Sequence, residues 1–231
     1  MKFDVILWDM DGTLLDFKIA QKEAITQVFR TIHKPLTDDI IDLYSRINEC
    51  YWKRLELGEV TQPQLLTGRF KTLFEELGMR DVNVDIVRRE YEDVLGNVYE
   101  YIHDSLGLCK TLQPKCRQYI VTNGIAGTQR KKIGLSGFKD CMTDCFVSEE
   151  IGYEKPNQDF FKYVFDQIPS FDPERTIIVG DSLTSDIKGG ALAGIKTCYF
   201  NPERKKISGD VKPDYEIDHL WDVLRVLDFV L

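Results

Sequence analysis

Short apolar runs rich in β-branched residues, each stopped by a polar turn, recur along this chain with helical patterns between them. Phe3 to Trp8 is the first, and Tyr119-Ile120-Val121, Cys145-Phe146-Val147, Thr176-Ile177-Ile178-Val179 and Thr197-Cys198-Tyr199-Phe200 follow after Pro114. Runs this short and this uniformly apolar suit strands buried on both faces. Helical patterns near 126–133, 157–168 and 185–193 separate them, which is the signature of crossover units on a parallel sheet. The fold class is therefore α/β. Residues 201–214, with Arg204-Lys205-Lys206 and two prolines, read as a surface loop before a last short strand and a helix from His219.

The alternation is interrupted once. Phe17, Ala20, Ala24 and Val28 repeat at helical spacing behind Asp16, an N-cap residue type. A second helical pattern covers 38–57, and Thr61-Gln62-Pro63-Gln64 fits a capping box ahead of the stripe Leu66, Phe70, Leu73 and Leu77. Val84, Val87, Tyr91, Val94, Val98 and Ile102 form a fourth stripe. An all-helical insert at 16–105, inside an α/β core of 1–15 and 106–231, is the expected organisation.

In an open parallel sheet, ligands bind outside the carboxyl ends of the strands, and those positions are chemically loaded here. The first strand ends in Asp9 and Asp11, the second in Thr122-Asn123-Gly124, and the fourth in Gly180-Asp181-Ser182 with Asp186 beyond; Lys155 follows the third by a loop. Carboxylates gathered at one point repel unless a cation sits among them, and hard oxygen donors suit Mg²⁺. An EF-hand is excluded, because Gly12 comes too early after Asp9 and Ala20 stands where the bidentate Glu belongs. The chain also lacks a Gly-x-x-x-x-Gly-Lys loop and a dinucleotide fingerprint.

Composition narrows the partners. A net charge of -8 and a pI near 5.0 argue against binding a nucleic-acid polymer. Six cysteines without a Cys-x-x-Cys, and only three scattered histidines, read as reduced thiols in a cytoplasmic protein rather than disulfides or structural zinc. No signal-peptide or membrane-spanning pattern is present, so a membrane partner is not expected.

Asp9-Met10-Asp11-Gly12-Thr13, Val121-Thr122-Asn123-Gly124, Glu154-Lys155-Pro156 and Gly180-Asp181-Ser182-Leu183-Thr184-Ser185-Asp186 together resemble the four motifs of the haloacid dehalogenase superfamily. The resemblance implies a Rossmann-like core with an inserted helical cap. It implies further that Asp9 is a nucleophile toward phosphorus and that Asp11, which the superfamily's dehalogenases lack, is the acid/base of a phosphatase. By motif position, Mg²⁺ would be held by the Asp9 carboxylate, the Asp11 backbone carbonyl and Asp181. Asp186 would act through water or by orienting Lys155, while Thr122, the Asn123 amide and Lys155 would hold phosphoryl oxygens of a small-molecule phosphate ester.

Tyr51-Trp52, Gly58-Glu59-Val60-Thr61, Gly68-Arg69-Phe70 and Leu14-Leu15-Asp16-Phe17 are similar to the pyrimidine 5′-nucleotidase branch. That resemblance implies nucleoside 5′-monophosphates as substrates, with Trp52 and Arg69 as substrate contacts; Trp52 and Phe70 could equally be core residues of the insert, and Arg69 a surface charge. The same core would serve a phosphoglycolate or sugar-phosphate phosphatase, a phosphomutase, or a non-catalytic sensor of a phosphate ligand.

Overall fold

A computed structural model describes residues 1–207 and 211–229. The strands are β1 (Val5–Trp8), β2 (Arg117–Thr122), β3 (Asp144–Val147), β4 (Thr176–Gly180), β5 (Lys196–Phe200) and β6 (Tyr215–Ile217). They form one sheet in the order β3-β2-β1-β4-β5-β6, and all neighbours pair in parallel. All of β1 is buried, as a strand at the centre of a parallel sheet requires.

Register decides what happens at the sheet's end. Trp8 lies opposite Ile120 on one side and Val179 on the other, so β1, β2 and β4 stop almost level and deliver Asp9, Thr122 and Asp181 to one place. Val5, Leu7, Tyr119, Val121 and Ile178 pack against Phe160, Phe161 and Val164 of the helix Gln158–Gln167. Each such side chain contributes about 1.5–3 kcal/mol on burial, which anchors the strands that carry the polar ends.

The chain divides into two units, one of Met1–Asp16 with Glu100–Leu231 and one of Phe17–Tyr99. The second contains α1 (Phe17–Thr31), α2 (Asp38–Glu56), α3 (Gln62–Glu76) and α4 (Val84–Asn97). Thr61 and Gln64 form the capping box that starts α3. The rings of Tyr44, Phe70 and Tyr91 pack with centroids 5.3–5.5 Å apart at the centre of this unit, alongside Val28, Leu73 and Val87.

The helical unit spans Phe17–Tyr99, narrower than the 16–105 read from sequence periodicity, so Asp16 and residues 100–105 fall in the α/β unit. Helix α4 stops at Asn97, and Val98 is extended. The next residues find partners beside β1: Glu100 accepts from the Asp16 N–H at 2.9 Å, the Ile102 N–H donates to Leu14 O at 3.1 Å, and Ser105 Oγ donates to the same carbonyl at 2.6 Å. Helix α5 (Ser105–Leu112) then leads into β2.

The remaining helices of the α/β unit are α6 (Ala126–Leu135), α7 (Ser148–Ile151), α8 (Gln158–Gln167), α9 (Lys188–Leu192) and α10 (Val223–Val226). The helical pattern at 185–193 resolves into a wide π turn, Leu183–Ile187, followed by α9. The pattern from His219 becomes a 3-10 turn, Leu220–Asp222, followed by α10. Of the loop expected at 201–214, residues 208–210 lie outside the described residues. All six cysteines are free, and Cys50 alone among them is exposed. Among the described residues no helix is long and apolar enough to cross a membrane.

Candidate active site

Lys155 organises the polar cluster at the strand ends. Its ammonium is 1% exposed and donates to Asp9 Oδ1 at 2.8 Å, Asp186 Oδ1 at 2.6 Å and Val121 O at 2.7 Å. An ammonium has three protons, and these acceptors use them all. Burial alone would lower the Lys155 pKa, but Asp186 and Asp9 outweigh it and hold the group above the ordinary lysine value. Asp9 sits at the opposite balance, since burial pushes its carboxyl up to about 7 against the pull of Lys155, with Asp186 and Asp11 adding to the rise.

The loops around the cluster tie it together. Asn123 Nδ2 donates to Lys155 O at 2.9 Å, and the Lys155 N–H returns a bond to Asn123 Oδ1 at 2.8 Å. Oδ1 and one proton of Nδ2 thus tie the Asn123 side chain to the Lys155 loop, and the backbone N–H beside them is a further donor able to meet a ligand. Thr122 Oγ1 accepts from the Gly124 N–H at 3.2 Å and from Gln129 Nε2 at 2.6 Å. A hydroxyl has two acceptor sites and one donor, so the Thr122 proton is what that group can offer.

Asp186 is reached through the π turn after Asp181. Both the Asp186 and Ile187 N–H groups bond Ser182 O at 3.1 Å, and the widened turn swings the Asp186 carboxylate back onto Lys155 and the Ser182 N–H. Asp181 is exposed, with the carboxylates of Asp9 and Asp186 close beside it. Desolvation, with the charges of Asp9 and Asp186, pushes its carboxyl well above the usual range. Gly12 has φ +94°, and a Cβ there would lie 2.4 Å from Asp181 Oδ2. Only glycine accommodates both that backbone and the aspartate beside it.

The donor set fits a hard divalent cation. Oxygens of Asp9, Asp181 and Asp186 all lie within 4.8 Å of one another, and Mg²⁺ takes oxygen ligands of this kind. Lys155 offsets Asp9 and Asp186, whereas Asp181 forms no ion pair among the described residues. Thr13 Oγ1 has one proton for either Asp9 Oδ2, at 3.2 Å, or Asp181 Oδ1, at 3.4 Å.

Asp11 points elsewhere. Its Oδ1 accepts from Lys132 Nζ at 2.6 Å and its Oδ2 from Gln129 Nε2 at 2.9 Å. Neither Gln129 nor Lys132 belongs to a motif singled out in the sequence. No pattern in the sequence marks them, because α6 carries no apolar stripe and buries the polar residues Thr128, Gln129 and Lys132 beside Ile133. Asp9, Asp11, Thr122, Asn123, Lys155, Asp181 and Asp186 are thus brought together, while Trp52 and Arg69 belong to the helical unit. Trp52 is half-buried on α2. Arg69 is 1% exposed, donates to Asn48 Oδ1 at 2.8 Å and lies over the rings of Phe70 and Tyr91. Its guanidinium therefore serves that unit's core.

Residues 3–194 match the haloacid dehalogenase-like hydrolase family. The HAD-hydrolase YfnB of Bacillus subtilis is 37% identical over 227 residues, 98% of this chain and 96% of that protein. A crystal structure of YfnB bound to magnesium matches with a TM-score of 0.94 over 99% of this chain and 100% of the other. The pyrimidine 5′-nucleotidase PynA of Streptococcus pneumoniae is 32% identical over 231 residues, covering 99% of this chain and 96% of its own length. The pyrimidine 5′-nucleotidase YjjG of Escherichia coli is 26% identical over 227 residues, 98% of this chain and 99% of YjjG. Motifs, sheet topology and end-to-end similarity agree, and the chain belongs to the haloacid dehalogenase-like hydrolases.

Proposed function

We propose that the chain is a Mg²⁺-dependent phosphatase of phosphate monoesters, acting through a phosphorylated Asp9, with pyrimidine nucleoside 5′-monophosphates as its substrates. The observation that carries the reaction class is the pair of aspartates after β1. Asp9 is held beside Lys155, while Asp11, two residues on, is held separately by Lys132 and Gln129. A nucleophile and a proton carrier thus stand on one loop without competing for the same partner. The end-to-end likeness to two pyrimidine 5′-nucleotidases supports the substrate class.

In this reading an Asp9 carboxylate oxygen forms a bond to phosphorus as the ester P–O bond breaks, and Asp11 gives its proton to the departing oxygen. Asp11 then takes a proton from water, whose oxygen attacks the phosphoryl group and frees Asp9 and inorganic phosphate. Thr122, through its hydroxyl proton, and the Asn123 backbone N–H hold phosphoryl oxygens. Lys155 keeps Asp9 ionised and oriented. Asp9, Asp181 and the Asp11 backbone carbonyl would hold Mg²⁺, with Asp186 beside them orienting Lys155. The ion would neutralise charge on the phosphoryl oxygens.

The test is a kcat/KM panel of dUMP, dTMP, UMP, dAMP, phosphoglycolate, hexose phosphates and p-nitrophenyl phosphate, with and without Mg²⁺. Pyrimidine nucleotides are expected to lead, and Asp9→Asn to abolish turnover with the fold intact. A lead of about tenfold or more for phosphoglycolate or a hexose phosphate would remove the nucleotidase assignment. Absence of metal-dependent turnover with every ester would remove the phosphatase assignment and favour a ligand sensor.

A further inference from the structure

Helix α6 lies between β2 and β3 in the chain, where a crossover helix ordinarily turns apolar residues toward the sheet. Instead it buries Gln129 and Lys132, each 1% exposed. Burying an ammonium is costly, and a well-packed apolar residue of similar volume is commonly neutral or better for stability. Packing therefore gives no reason for a lysine at 132. The geometry does give one, because Lys132 Nζ meets Asp11 Oδ1 at 2.6 Å.

Gln129 completes the arrangement. Its side-chain nitrogen has two protons, and both are used at the strand ends, one on Asp11 Oδ2 at 2.9 Å and one on Thr122 Oγ1 at 2.6 Å. The amide thus bridges the group proposed to carry the proton and the group proposed to hold the phosphoryl oxygen. Gly124 is the space that permits it, since a Cβ there would lie 2.5 Å from the Gln129 amide.

We propose that Gln129 and Lys132 are positioning residues for the proton transfers of Asp11. Each takes one oxygen of the carboxylate, so its plane and direction are set from the helix rather than left to the torsions of a loop side chain. A carboxylate has about four lone-pair sites, so two anchors leave sites for the travelling proton. Preorganisation of this kind matters because proton transfer requires hydrogen-bond reach at the moment the ester bond breaks. The inference rests on the reading of Asp11 as acid/base and not on which ester is hydrolysed.

The experiment measures single-turnover phosphorylation rates for wild type, Lys132→Met, Lys132→Arg and Gln129→Leu. Two substrates are used: p-nitrophenyl phosphate, whose leaving group departs without a proton, and the fastest alkyl ester of the panel. Each Met or Leu substitution is repeated in an Asp11→Asn background. The alkyl ester is expected to lose at least about tenfold more than the aryl ester, a part of the range usual for acid–base catalysis. Lys132→Arg should recover most of that loss. In the Asp11→Asn background the further loss should shrink to about threefold or less, because residues acting through one group are not additive.

Equal losses with both esters, or losses undiminished in the Asp11→Asn background, would overturn the inference and leave the two residues a packing role. Thermal melts accompany every variant, and if Lys132→Met does not fold, Gln129→Leu carries the same comparison. The outcomes separate the readings. A wild type without Mg²⁺-dependent turnover removes the phosphatase itself. An active wild type whose Asp11→Asn variant shows no leaving-group split removes Asp11 as acid/base, and this inference with it. A split in Asp11→Asn that neither Lys132→Met nor Gln129→Leu reproduces removes this inference alone.

Discussion

Lys155→Met should be the most destabilising single substitution at the strand ends. The variant keeps the length of the side chain but deletes an ammonium whose three bonds end on Asp9, Asp186 and the Val121 carbonyl. Removing one side of a buried ion pair costs about 3–5 kcal/mol, because the partner charge is left behind in a poor solvent. Here two carboxylates are left, with Asp186 1% and Asp9 7% exposed, so the upper half of that range applies. For a chain of 231 residues each kcal/mol moves the melting temperature by about 2–4 °C, which gives a fall of about 8–20 °C in EDTA.

The control is Arg175→Met. Arg175 pairs with Asp4, but both side chains are 46% exposed. Water screens that contact and solvates whatever is left behind, so its loss should hardly move the melt. Circular-dichroism melts of wild type and both variants, in EDTA and in Mg²⁺, make the measurement. Mg²⁺ should raise the Lys155→Met melt by more than that of wild type, since a cation among Asp9, Asp181 and Asp186 replaces part of the missing charge. If Lys155→Met melts within about 3 °C of wild type in EDTA, the buried-charge argument is wrong.

Other consequences follow from the same geometry. Asp181→Ala should weaken Mg²⁺ binding by at least about tenfold in a calorimetric titration, because one of few carboxylate donors is lost; an unchanged titration would pass the ligand role to Asp186. Gly12→Ala should destabilise by about 1–3 kcal/mol, read from denaturant midpoints, and should weaken Mg²⁺ binding as well, since the new methyl displaces Asp181. Asp11→Asn should slow phosphorylation by dUMP about 10²-fold more than by p-nitrophenyl phosphate. With the aryl ester it should give a burst near one equivalent of p-nitrophenolate followed by slow turnover, and rapid quench with no burst would exclude slowed hydrolysis of the phosphorylated Asp9.

Much of this molecule is legible along the chain, because its information is local. Apolar runs such as Val5 to Trp8 mark central strands by burial on both faces, and a parallel sheet places whatever follows those runs at one edge. Asp9, Thr122 and Asp181 could therefore be expected together before their distances were known. The helices of residues 17–97 declare themselves through period and through caps such as Thr61 with Gln64. Register and side-chain direction are not local, and tertiary structure decided them. Nothing in the order of residues shows that Glu100 to Ser105 would take their hydrogen bonds from the loop after β1. Arg69, a charged residue on a helix, could equally have faced solvent, and its burial against Phe70, Tyr91 and Asn48 follows only from how four helices pack. Gln129 and Lys132 look like the solvated face of α6 until β1 and β2 are set side by side. Only then does Asp11 meet residues 118 and 121 positions further along the chain, since the partners of a buried polar group are chosen by the packing of strands and helices rather than by their spacing in sequence.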